Sequence, residues 1–207
     1  IIVLASVNIY MFASAFNRNY ALHTISIPLI FSINSIIEFD ECEFEDNYAP
    51  SSYLFLADFF SYLGFWNLAF TNNSNIALLS LDTSFSLFDM ANTTFTRNKG
   101  MILNAPELSN ITFDNITLIE NNVKNMPLMF LRKSIFIMEN SSFDSNDGMN
   151  LVKFDDCTSV NIGNIISVND ISDDSHVKFN GIKEANLHDS KFINAASKTT
   201  IFDVKKS

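Results

Sequence analysis

The feature that most constrains this chain is an internal repeat. Its frame is φ-x-φ-x-N-x-x-F-x-x-N, with φ apolar, and it is clearest around Phe113 to Asn121. With the large apolar residue as position zero, the frame recurs at Phe16, Phe44, Phe70, Phe95, Leu118, Phe143, Ser167 and Phe192, at spacings of 28, 26, 25, 23, 25, 24 and 25 residues. Only Ser167 breaks this column. Five positions earlier stand Met11, Phe39, Phe65, Met90, Phe113, Met138, Ile162 and Leu187, and seven positions earlier Ile9, Ile37, Leu63, Phe88, Ile111, Phe136, Val160 and Ala185. A fixed period of this length marks an array whose units bury their apolar side only against their neighbours, so residues 1–207 read as a single body.

Within each unit the chemistry alternates with period two, as in Ile37 and Phe39 against Glu38 and Asp40, which is the signature of a strand with one buried face. The inward phase then slips at a column reading Ala13, Glu41, Asn67, Asn92, Asn115, Asn140, Asn164 and Asp189, so a corner is expected there. A second column reads Asn19, Asn47, Asn73, Asn98, Asn121, Asn146, Asp170 and Ala195. Asn tolerates the left-handed region and bonds turn backbone with its amide, so both columns are expected at corners, stacked as ladders. A closing apolar strand follows at 52–56, 77–81, 101–105, 128–131, 151–154, 176–179 and 200–204. No two-residue Asn-Gly or Asp-Gly turn recurs at a hairpin period, which excludes an antiparallel sandwich. The return arm alternates as a strand, which excludes a leucine-rich repeat with its helical return. The expected fold is an all-β parallel β-helix, or solenoid, of about eight coils of ~25 residues, with Phe stacks and two Asn ladders.

The F-x-x-N corner and the Asn columns, covering nearly all of residues 8–204, resemble the pectin-lyase-like right-handed parallel β-helix superfamily. In its Asn, Ile and Phe richness and Gly poverty the chain is also similar to the large β-helix surface proteins of ciliates. The superfamily resemblance implies a right-handed coil and two enzyme classes on the outer face of one sheet: uronate lyases using Ca²⁺ and a basic residue, and hydrolases using a group of acids. The outward positions of the first strand hold Glu38, Asp40, Asp89, Asp114, Glu139 and His188 beside Phe12 and Trp66, with no Arg or Lys. Without a base or a cation to stabilise a carbanion, a lyase is disfavoured. Asp89, Asp114 and Glu139 are the candidate acids for glycoside hydrolysis, and Trp66 and Phe12 the candidate sugar-stacking rings. The doublets Asp155-Asp156 and Asp173-Asp174, near His176, are similar to the acidic doublets of the hydrolases, but the G-H-G and R-I-K elements that go with them are missing. Glu38, Asp40 and Glu43, in the acidic run 38–46, are candidate oxygen ligands for Ca²⁺. Outward acids on a strand more commonly form a solvated face, and no cofactor is expected.

Composition narrows the partners. A net charge of −10 with only 13 basic residues argues against nucleic acid and against an anionic membrane surface. The apolar opening, 1–16, is interrupted by Asn8 and lacks a basic flank; it is too short to span a bilayer and fits the repeat. Cys42 and Cys157 fall five rungs apart, roughly 24 Å at ~4.8 Å per rung, well beyond the ~7 Å reach of a disulfide, so both read as small core residues. Five N-x-S/T sequons, at Asn72, Asn92, Asn110, Asn115 and Asn140, fit an extracellular or cell-surface glycoprotein. Asn92, Asn115 and Asn140 belong to the first corner column, which leaves Asn72 and then Asn110 as the expected glycan carriers. The sequence thus predicts a non-catalytic structural or interaction rod, with end-to-end stacking onto further coils or like protomers and glycans as its partners. The alternative is a polysaccharide-active enzyme or carbohydrate-binding module on the outer acidic and aromatic face. Both chain ends are expected to be uncapped strands, Ile1 to Leu4 and Ile201 to Val204, so the segment is expected to belong to a longer protein or a fibre.

Overall fold

The computed structural model describes residues 2–20, 28–81, 86–107 and 109–205; Ile1 lies outside them. Among the described residues there is no helix, and every strand pair is parallel, in sheets of 13 and 14 strands. Successive coils stack in the order that the repeat dictates. Phe16 pairs with Phe44, Phe44 with Phe70, Phe70 with Phe95, Phe95 with Leu118, Leu118 with Phe143, Phe143 with Ser167 and Ser167 with Phe192. The two upstream apolar columns are in register as well, from Ile9 and Met11 through Ile37 and Phe39 to Ala185 and Leu187. The fold is a parallel β-solenoid of about eight turns, as the frame predicts.

Each coil has three legs. In the second coil these are Ile36–Asp40, Glu43–Glu45 and Tyr48–Asp58. Parallel stacking puts like residues on top of one another, and the side chains exploit it. Phe16, Phe44, Phe70 and Phe95 form a pile with centroid spacings of 4.7, 4.8 and 4.8 Å and interplanar angles of 7, 10 and 8°. On the first leg the rings alternate direction instead: Phe65 to Phe88 and Phe88 to Phe113 meet edge to face. Both geometries suit the quadrupole of the ring, and the rung spacing of ~4.8 Å selects the offset stack where rings share a rotamer.

The corners differ from expectation in one respect. The first column takes the left-handed conformation throughout, from Ala13 (φ 47°) and Glu41 (52°) to Asn164 (52°) and Asp189 (49°). In the second column it is the residue before the Asn that does so: Arg18, Asp46, Asn72, Arg97, Glu120, Ser145, Asn169 and Asn194. That positive φ turns the following side chain inward, which is why Asn73, Asn98 and Asn121 are fully buried. A third left-handed corner joins one coil to the next, at Ser6, Asn34, Lys133, Asp156 and Gly181 among others. After Asn34, Lys133 and Asp156 comes a buried Ser or Cys whose side chain donates to the carbonyl two residues back, Ser35 to Ile33, Ser134 to Arg132 and Cys157 to Asp155; after Ser6 and Gly181 the place is taken by Val7 and Ile182. Cys42 does the same with Asp40 at the first corner. Both cysteines are free and buried, and burial pushes the Cys157 thiol up to about 11.

The buried Asn column is the polar spine of the fold. Asn98 shows the repeating unit: its Oδ1 accepts from the backbone N–H of Asn73 at 3.0 Å and from the Asn73 amide at 3.0 Å, while its own Nδ2 donates to the Phe70 carbonyl at 2.9 Å and to Asn121 Oδ1 at 3.0 Å. Every donor and acceptor of the amide is used, which is what allows it to be buried. The ladder runs from Asn19 through Asn47, Asn73, Asn98, Asn121 and Asn146 to Asp170, each amide donating toward the next coil. Asp170 ends it. Its Oδ1 accepts from Asn146, and its Oδ2 accepts from Ser167 at 2.6 Å, so the one residue that breaks the Phe column is there to serve the ladder's last rung.

Candidate functional site

The outer face of the first leg brings some of the candidate residues together and keeps others apart. Asp89 and Asp114 sit in different outward columns: Asp89 pairs with Gly64 and Thr112, Asp114 with Ala91 and Glu139. Each has its own neighbour. Asp114 accepts the Asn140 amide at 2.8 Å. Burial, together with the Asp89 carboxylate nearby, pushes the Tyr62 phenol up. Trp66 folds over Gly64, where an added Cβ would fall 2.1 Å from the indole. One face of that ring is therefore taken by its own strand. Phe12 is exposed and stacks at 6.5 Å with Tyr10, whose hydroxyl donates to Asp40 at 3.3 Å.

Glu139 acquires a partner that linear spacing does not suggest. His188 lies two rungs on in the same outward column, and the intervening residue is Gly163. With no side chain between them, the carboxylate and the imidazole close over the glycine, Oε1 to Nε2 at 3.5 Å. The other ring nitrogen faces Asp189 Oδ2 at 3.2 Å, and Asn161 donates to Glu139 at 3.2 Å. A half-exposed imidazole held between two carboxylates is a side-chain set of the kind that acid–base chemistry uses. The readable signal for this contact is a Gly in a column otherwise filled with side chains.

Several of the remaining acids have partners elsewhere. Asp40 also accepts the Asn67 amide at 2.8 Å, and the corner at Glu41 separates Glu38 and Asp40 from Glu43 on the second leg. Among the described residues no group of three His, Cys, Asp or Glu side chains is placed to hold a metal ion. Asp155 is paired with Lys153 at 2.9 Å, Asp173 with Lys198 at 2.6 Å and Asp174 with Lys178 at 2.5 Å. His176 points into the core, where Ser172 Oγ lies 2.9 Å from Nδ1 and the Asp170 carbonyl 3.3 Å from Nε2. Burial lowers the affinity of this ring for a proton and raises that of the Asp170 carboxyl.

Asn72 and Asn110 are exposed and make no side-chain hydrogen bond among the described residues. The amide of Asn92 donates to Asn67 at 3.2 Å, that of Asn115 to Asn92 at 2.8 Å and that of Asn140 to Asp114, so these three sequon nitrogens are engaged. A surface feature absent from the sequence reading lies beyond the buried ladder: a notch of about 530 Å³ beside Gly100, walled by the starts of the third legs of the neighbouring coils and by Lys124 and Met126. No protein-family model matches the chain, and no curated protein matches it.

Proposed function

We propose that this chain is a non-catalytic structural or interaction rod of an extracellular or cell-surface protein, completed at its ends by further coils or by a like protomer. The observation that carries this reading is the state of the apolar columns at the two ends. Ile37, Phe39 and Phe44 are fully buried in the second coil, whereas their equivalents Ile9, Met11 and Phe16 are partly exposed. At the other end Leu187 and Phe192 are partly exposed, Phe202 is 37% and Val204 68% exposed. Apolar surface beside unpaired strand edges templates the addition of a further rung. Exposed Asn72 and Asn110 support the extracellular assignment. The test is sedimentation and electron microscopy over a concentration series of wild type and of a Val3→Lys/Val204→Lys variant. Axial assemblies that the variant fails to form are expected; a wild-type monomer at every concentration would remove the stacking element.

A second reading, a polysaccharide-active enzyme or carbohydrate-binding module, is favoured by one observation, the Glu139–His188–Asp189 contact on the outer face. Release of reducing ends from acidic or neutral polysaccharides, lost in Glu139→Gln, would favour it over the rod.

A further inference from the structure

The notch beside Gly100 has a physical origin in the repeat. The coil from Phe95 to Leu118 is the shortest, at 23 residues, and its third leg, Lys99–Ala105, starts directly after its ladder residue Asn98 and runs on without an inserted loop. The preceding coil carries an extra residue at this place: Ser74 pairs with Lys99 and Ala77 with Met101, so Asn75 and Ile76 together oppose Gly100 in a bulge. In the following coil a short strand, Asn122–Val123, pairs with Lys99, and a loop over 124–128 then separates it from Met129–Arg132. A short coil between two longer ones leaves a recess. Gly100 is required in its floor, since at φ 111° a Cβ would stand 1.8 Å from the Asn75 carbonyl oxygen.

Two independent observations give this recess a ligand preference. Lys99 and Lys124, from adjacent coils, line it, are exposed, and make no ion pair among the described residues, although the chain has 23 acidic side chains to 13 basic. Asn75, in its wall, is 6% exposed, yet neither its Nδ2 nor its Oδ1 has a hydrogen-bond partner. A buried amide with no partner on either side is rare enough to require an explanation, and here it stands beside two uncompensated cations. The neighbouring Asn122 amide donates to Asp147 on the next rung at 3.2 Å, so that acid is already engaged. Ile76, Val123 and Met126 supply apolar wall.

We propose that the notch binds a small organic anion, with its carboxylate or phosphate head between Lys99 and Lys124 and its apolar part against Ile76 and Met126, and that the Asn75 amide, which water does not reach in this structure, turns outward to bond the head. This does not depend on the rod reading. The test is calorimetric titration of the intact chain with hexanoate, hexyl phosphate and uncharged hexanol. One saturable site for an anionic probe, with no binding of hexanol, is expected. The stronger of the two anions identifies the head group. Lys99→Met/Lys124→Met should weaken binding about tenfold or more, the size of effect that loss of charge-assisted hydrogen bonds produces. Lys183→Met/Lys191→Met, which changes net charge equally at exposed lysines outside the notch, should leave binding unchanged. Absence of saturable binding, equal binding of hexanol, or equal weakening by both double variants would overturn the proposal.

Discussion

The buried ladder has a direction, and that direction predicts an asymmetry between Asn and Asp that their similar shapes conceal. In Asn98→Asp, the oxygen replacing Nδ2 would face the Phe70 carbonyl and Asn121 Oδ1, two acceptors now 2.9 and 3.0 Å from a third. Two hydrogen bonds disappear and a carboxylate is buried without a donor on that side. The bonds alone are worth about 1–3 kcal/mol together, and the desolvated charge adds about as much again even when the group takes up a proton, giving roughly 2–6 kcal/mol. Asn98→Ala should cost a similar ~3–5 kcal/mol by a different route, because it orphans the buried N–H of Asn73 as well as deleting the amide's own bonds. Asp170→Asn should behave in the opposite way. Its neighbours along the ladder only donate to it, the next residue in the column is Ala195, and the Ser167 hydroxyl can turn to accept, so the change removes a buried charge at no loss of ladder bonds. At pH 7 this variant should be at least as stable as wild type. Urea denaturation followed by circular dichroism measures all three. An Asn98→Asp variant within about 1 kcal/mol of wild type, or an Asp170→Asn variant as damaged as Asn98→Asp, would refute the directional account.

Further outcomes follow from the packing and the buried titratable groups. Phe95→Ala removes a fully buried ring from the pile between Phe70 and Leu118 and should cost ~3–5 kcal/mol; a loss under about 1 kcal/mol would mean that the site collapses or that the ring is not packed as described. His176 is buried and its proton affinity is lowered, so the unfolded chain binds the proton more readily. Stability should therefore fall as pH drops below the ordinary imidazole range near 6.5 and level off once the folded ring is protonated, a slope absent in His176→Gln. Asp170 has the opposite sign: its folded carboxyl is raised, so the penalty present at neutral pH is relieved as pH falls toward 4, and the advantage of Asp170→Asn should shrink over that window. In a secreted expression host, peptide mapping should find glycan at Asn72 and Asn110 ahead of Asn92, Asn115 and Asn140; the reverse order would show that the corner hydrogen bonds do not protect those nitrogens.

Much of the fold is legible because a parallel stack repeats its inward positions at one period, and Phe, Met and Ile mark those positions plainly. The register of every Phe-column pair follows from the frame alone. The third corner was not readable, since it is marked by Ser35, Ser134 and Cys157, small residues that read equally well as strand or loop. The two Asn columns looked alike in sequence and differ in role, because the backbone twist at the residue before Asn98, not Asn98 itself, decides whether the amide faces inward. On the surface, Glu139 and His188 are 49 residues apart and meet only because Gly163 leaves a gap between their rungs. The notch depends on a difference in loop length between three successive coils. Such a difference is visible as the 23-residue spacing, but its shape is not.

The ladder also bears on how such a chain can lengthen. A coil carrying Asn73, Asn98 or Asn121 receives from the coil before and gives to the coil after, so it can be duplicated, deleted or exchanged without leaving any amide short. The coil carrying Asp170 cannot, because two acids in succession would oppose acceptor to acceptor. Growth by internal duplication is therefore open anywhere upstream of Asp170 and closed at it, which makes that residue a terminator in the grammar of the repeat.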